Sequence, residues 1–161
     1  MKLETMYQEI ILDHYRKPLN RGLRTPFDVE VHHVNPTCGD ELTLRIDIDH
    51  SDGKAVVSDV SYEAIGCSIS QAATSVMTEL VLDQDLAAAL TTQGEFLTMM
   101  QSRGEVEPNE DILGDAIAFA GVSKYPARIK CALLGWMAFK DAAAQAMAAA
   151  DASTDSQKET A

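Results

Sequence analysis

The sequence predicts an α+β fold, a three-stranded antiparallel sheet with helices packed on one face, and the order of its hydrophobic periods carries that prediction. Apolar residues alternate with polar ones in DVEVHHV, in ELTLRIDID and in the stretch that follows DGK. From Ser68 onward the period changes to that of a helix and stays there.

The elements follow in order. Leu3 to Lys17 reads as an amphipathic helix, with Met6, Ile10 and His14 spaced by four and Tyr7 and Ile11 widening the stripe. Pro18 cannot continue it, and Gly22 permits the turn that follows. In the second strand Leu42, Leu44, Ile46 and Ile48 share one face, against Glu41, Thr43, Arg45 and Asp47. HSDGK is a hairpin turn centred on Asp52-Gly53. Beyond it Val56, Val60, Tyr62 and Ala64 are expected to face inward, with Asp59, Ser61 and Glu63 outward. The next helix keeps helical spacing through Ile69, Ala72, Ala73, Val76, Met77, Leu80 and Val81. Two more are expected in DLAAALTTQGEFLTMMQSR and NEDILGDAIAFAG, and a last one from Pro126 through the alanine-rich run.

A chain of 161 residues with 46% hydrophobic and 24% charged residues fits one domain, placed at 1–150. The polar residues 151–161 are expected to form a disordered tail. No secretory signal or membrane-spanning run is read, so the expected compartment is the cytoplasm. A net charge of -12 argues against nucleic acid as a partner. The basic residues gather at Arg16, Lys17, Arg21 and Arg24, and again in KYPARIK. Two such patches suit a protein partner better than a polyanion, although each alone reads first as a solvated edge.

Three cysteines cannot pair off into a disulfide framework. Taken singly, each reads first as a small buried hydrophobe. Their settings point elsewhere. Cys38 stands in the turn NPTCGD between two strands, with the Asp40 carboxylate two residues on. Cys67 lies where the last strand gives way to a helix, and free N–H groups there favour a thiolate. Cys131 is in the second turn of the last helix. Three thiolates and one carboxylate make a donor set that suits Zn²⁺, although no CxxC pair is present. His14, His32, His33 and His50 read as surface or satisfied residues, and the methionines as packing. No Ser-His-Asp order and no phosphate-binding glycine loop is found.

The segments NPTCGDELTL, GCSISQAATSVMTELV and ARIKCALLGW resemble, in order, the three cysteine motifs of the IscU/NifU-like iron–sulfur assembly proteins. MYQEIILDHYRKPLNRG resembles that family's first helix, so the likeness covers about Leu3 to Ala143. It implies the IscU/NifU-like α+β fold and a metal site of Cys38, Asp40, Cys67 and Cys131. Scaffold members carry a His before the last cysteine, where this chain has Lys130, and a Leu-Pro-Pro-Val-Lys stretch where it has KYPARIK. TTQGEFLTMMQSRGEVEPNEDILG resembles an insertion relative to them. All three departures are shared with the SufU branch of the family. That resemblance implies a zinc-dependent sulfurtransferase, an enzyme that takes sulfur from a SufS-type cysteine desulfurase and passes it to downstream iron–sulfur assembly proteins.

Cys38, on the most mobile of the three supports, is the expected sulfur acceptor, and Asp40 the expected weakest ligand. Arg128 and Lys130 are expected to border the site, with Arg128 able to grip Asp40 bidentately. Two rival readings stand beside this one. One is a cluster scaffold that holds a transient [2Fe–2S] unit or iron, and the other a structural zinc module without turnover.

Overall fold

A computed structural model describes residues 3–159, with side chains described for 6–151. Helix α1 (Leu3–Arg16) leads into β1 (Val29–Asn35), β2 (Asp40–Asp49) and β3 (Val56–Ile65). Then come α2 (Ser68–Val81), α3 (Leu86–Gln101), α4 (Glu110–Leu113), a 3-10 stretch over Gly114–Lys124, and α5 (Pro126–Glu159). The strands lie in the order β1-β2-β3, antiparallel throughout. This is the expected α+β architecture, with α2 and α5 against one face of the sheet.

The period-two pattern sets that face. Leu44 pairs with Val31 on one side and Tyr62 on the other, and all three are buried. A bulge between Asp47 and Ile48 shifts the start of β3, so Ile48 meets Val57. Val57 is therefore the fully buried residue there, and Val56, expected inside, is half-buried. Ser61 also departs from expectation. It is buried because residues 19–27 cross the sheet's polar side, where the Arg24 N–H donates to its hydroxyl at 3.0 Å. Arg24 pairs with Asp59 at 2.7 Å and Arg21 with Glu63 at 3.0 Å, so half of the first basic patch fastens this crossing. On α1 the inward stripe is Tyr7, Ile11 and His14, while Met6 is exposed.

The segment that resembles an insertion is built into the core. Phe96 of α3 stacks on Trp136 of α5 with ring centroids 4.1 Å apart and meets Phe119 edge-on at 6.1 Å. The helix expected over residues 109–121 is broken. Gly114, at φ 48, ends α4, and the chain continues as 3-10 turns. A side chain at Gly135 would overlap the side chain of Thr74, so α5 passes α2 there at a distance that a glycine permits. Helix α5 runs to Glu159, past the expected boundary at Ala150; no Gly or Pro interrupts that stretch. No helix among the described residues is long and apolar enough to cross a membrane.

Candidate metal centre

The centre is assembled at the end of the sheet by strand alternation and two helix starts. Even-numbered residues of β2 point inward, so Asp40, its first residue, points toward the helices and is buried. Pro36 to Gly39 form the turn, in which the N–H groups of Cys38 and Gly39 both donate to the Asn35 carbonyl, at 3.3 and 2.9 Å. Gly39, at φ 73, adopts the left-handed conformation that closes it. Cys38 is left exposed at the tip.

Cys67 is the N-cap of α2, with φ −71 and ψ 167, and its side chain caps no backbone N–H. Its own N–H donates to Asp40 Oδ1 at 3.0 Å, and its Sγ lies 3.8 Å from Asp40 Oδ2. Gly66 makes this possible. A Cβ there would come within 2.7 Å of Asp40 Oδ1 and 2.6 Å of the Ser70 hydroxyl. Gly66→Ala is expected to push the carboxylate aside and cost about 1–3 kcal/mol of stability, with loss of bound zinc. Thermal melting beside metal analysis checks both.

Cys131 is fully buried on α5, and its Sγ is 3.3 Å from Cys38 Sγ. Sulfur and oxygen atoms of Cys38, Asp40 and Cys131 all lie within 4.8 Å of one another. Cys67 stands outside that mutual group and joins it through Asp40, its Sγ lying 3.8 Å from Asp40 Oδ2. Burial pushes the Cys131 thiol well above its ordinary value, and Cys38, Cys67 and Asp40 beside it push it further. A cluster that resists adding negative charge is one that a cation would complete.

The donor set fits zinc. Tetrahedral bonds of ordinary length place two sulfurs about 3.8 Å apart and a sulfur and an oxygen about 3.5 Å apart, close to the 3.3 and 3.8 Å found here. One further residue, a neighbour of Asp40, is not revealed by the cysteine pattern. Asn35, opposite Asp40 in the β1–β2 ladder, is buried, and its Nδ2 has no hydrogen-bond partner. Its burial follows the inward alternation of Val29 and Val31, but that alternation does not show the missing partner.

Arg128 and Lys130 are exposed on the first turns of α5, and their side chains make no hydrogen bond or ion pair among the described residues. The expected grip of Arg128 on Asp40 is not formed; Asp40 Oδ1 takes its hydrogen bond from the Cys67 backbone instead. His33 bonds Asp141 of α5 at 2.8 Å, and His32 bonds Thr43 at 2.9 Å.

The profile of the NifU-like N terminal domain matches residues 6–132. The zinc-dependent sulfurtransferase SufU of Bacillus subtilis is 41% identical over 143 residues, covering 89% of this chain and 92% of that one. The iron–sulfur cluster assembly scaffold protein IscU of Streptococcus pyogenes is 36% identical over 141 residues, covering 88% and 84%. Among solved structures, a putative iron–sulfur cluster assembly scaffold protein for the SUF system from Fervidobacterium islandicum superposes with a TM-score of 0.75. That protein is 34% identical, and the match covers 88% of this chain and 99% of the other. The sheet order, the paired helix starts and the profile spanning the folded body agree: the chain belongs to the NifU-like N-terminal domain family, in its SufU branch.

Proposed function

We propose that this protein is a zinc-dependent sulfurtransferase that accepts persulfide sulfur from a SufS-type cysteine desulfurase and hands it on for iron–sulfur cluster assembly. The work is assigned to one domain, 1–150, acting in the cytoplasm. The observation that carries the reading is the unequal mounting of the three thiols. Cys131 is buried on a helix and Cys67 is set at a helix start, whereas Cys38 is exposed at the tip of a turn.

Cys38, Asp40, Cys67 and Cys131 would hold the zinc, which when bound keeps the thiols as thiolates. Cys38 Sγ attacks the outer sulfur of a cysteine persulfide on the desulfurase. A new S–S bond forms to Cys38, the partner's S–S bond breaks, and the partner's cysteine leaves as a thiolate with the electron pair. No net oxidation occurs. Exposed Val34, Ile65 and Tyr125, on the segments that flank the centre, offer apolar area for docking. The unpaired cations Arg128 and Lys130 are the auxiliary groups of the proposal, facing an anionic persulfide.

Sulfide production by a SufS-type desulfurase, measured with and without this protein, tests the reading. Unchanged turnover would leave a structural zinc module. The kinship to IscU supports a scaffold reading, and stoichiometric iron and sulfide after anaerobic purification would favour that instead.

Asp40 is the only oxygen donor of the four. Asp40→Ala is expected to weaken zinc binding about tenfold or more, with the fold retained, as read by competition with a chelator. Because Cys131's proton is held tightly, metal uptake must release it. Zinc affinity should therefore rise with pH through neutrality, by about tenfold per pH unit for each proton released. Titration calorimetry in buffers of different ionisation enthalpy counts those protons.

A further inference from the structure

A second cluster of metal-ligating side chains lies on the far side of α2 from the thiol centre. Glu79 stands twelve residues beyond Cys67, roughly 18 Å along the helix. His14 of α1, Glu79 of α2 and Asp115 of the 3-10 stretch bring one ligand atom each to within 4.8 Å of one another. We propose that these three residues form a separate site for a first-row divalent cation.

His14 is the strongest evidence. The residue is 9% exposed, and its Nδ1 lies 2.8 Å from the Ser75 hydroxyl. That oxygen also accepts from the Leu19 backbone N–H at 2.8 Å. With the proton on Nδ1, His14 donates to Ser75 and fills the hydroxyl's second lone pair. The lone pair of the imidazole is then on Nε2, the arrangement in which a metal-binding histidine is oriented by a hydrogen bond from its other nitrogen. Nε2 is 3.6 Å from Glu79 Oε2 and makes no hydrogen bond among the described residues. A buried ring is thus held in place with its Nε2 at ion-pair distance from a carboxylate, beside a cleft of about 550 Å³.

The backbone supplies the third ligand. Gly114 turns the chain at φ 48 against Leu80, next to Glu79, and Asp115 follows immediately. Three ligands thus come from three separate elements. In a tetrahedral or octahedral site, nitrogen and oxygen ligands sit about 3.0–3.4 Å apart, a small contraction from 3.6 Å. One imidazole and two carboxylates neutralise a divalent ion. They favour Mn²⁺, Fe²⁺, Co²⁺ or Zn²⁺ over Mg²⁺, which seeks oxygen and water. Glu79 and Asp115 are exposed, so the ion would exchange readily. Arg16 and Lys17 also line the cleft, with Asp13; both cations are long, exposed and free to turn outward.

Cobalt titration of the full chain, preloaded with one equivalent of zinc, separates the two sites. The expected result is a second equivalent of Co²⁺ with weak d–d absorption and no thiolate charge-transfer band. Glu79→Gln combined with Asp115→Asn, both at exposed positions, should weaken that binding about tenfold or more, and His14→Gln should abolish it. Paramagnetic shifts of the His14 ring protons give a readout independent of affinity. A charge-transfer band would place the cobalt at the thiols, and then the zinc assignment fails rather than this one, unless no further cobalt binds. Absence of a second equivalent overturns the site. So does one whose affinity is unchanged in the Glu79→Gln/Asp115→Asn protein.

Discussion

Cys38→Ala is expected to abolish sulfur acceptance, lowering stimulated desulfurase turnover by at least about a hundredfold, with little change in melting temperature. The two halves of that result have separate causes. Cys38 is exposed on a turn whose backbone is held by the Asn35 carbonyl, so removing its sulfur takes little from the core. The remaining thiols cannot substitute. Cys131 has no exposed surface, and Cys67 is fixed at the N-cap of α2, with its N–H committed to Asp40. Alkylation of trapped persulfide followed by mass analysis identifies the acceptor. A Cys38→Ala protein that stimulates the desulfurase like the wild type would remove Cys38 from the role.

The largest effect on stability is expected at Trp136. Trp136→Ala should cost about 3–5 kcal/mol and lower the melting temperature by roughly 10 °C. The indole is fully buried, stacks on Phe96 of α3 and donates from Nε1 to the Ala73 carbonyl of α2 at 3.1 Å. Loss of the ring therefore opens a cavity among three helices and leaves that contact of α2 unmade. Gly135 next to it brings α5 against Thr74, so the cavity lies beside a close approach of the two helices. Because α2 begins at Cys67 and α5 carries Cys131, zinc retention should fall with stability. Trp136→Phe should recover most of both. Equal melting temperatures for Trp136→Ala and the wild type would contradict the packing described here.

Much of the fold was legible because the sheet's period is simple. Leu42, Leu44, Ile46 and Ile48 announced their face, and that same alternation carried Asp40 inward. What was hidden depended on tertiary context. The phase of β3 turned on a bulge between Asp47 and Ile48, which no period in the sequence records. The break at Gly114 was masked by the apolar spacing on either side of it. Of the candidate centre, Cys38, Asp40, Cys67 and Cys131 were visible as residue types in suggestive local settings. Asn35 was not, since its significance arises from having no partner. Nor was Gly66, which matters through the space its missing side chain leaves for Asp40.

The contact between Cys38 and Cys131 spans 93 residues of chain. Closing so long a loop is unfavourable entropically, though the penalty grows only with the logarithm of its length. Contacts of such separation belong to the late stages of folding, after local helices and hairpins have formed. A chain stopped before α5 could complete its sheet and still lack Cys131. The candidate metal centre therefore comes together only after α5 has been made and docked, and a chain without α5 would lack its buried thiol.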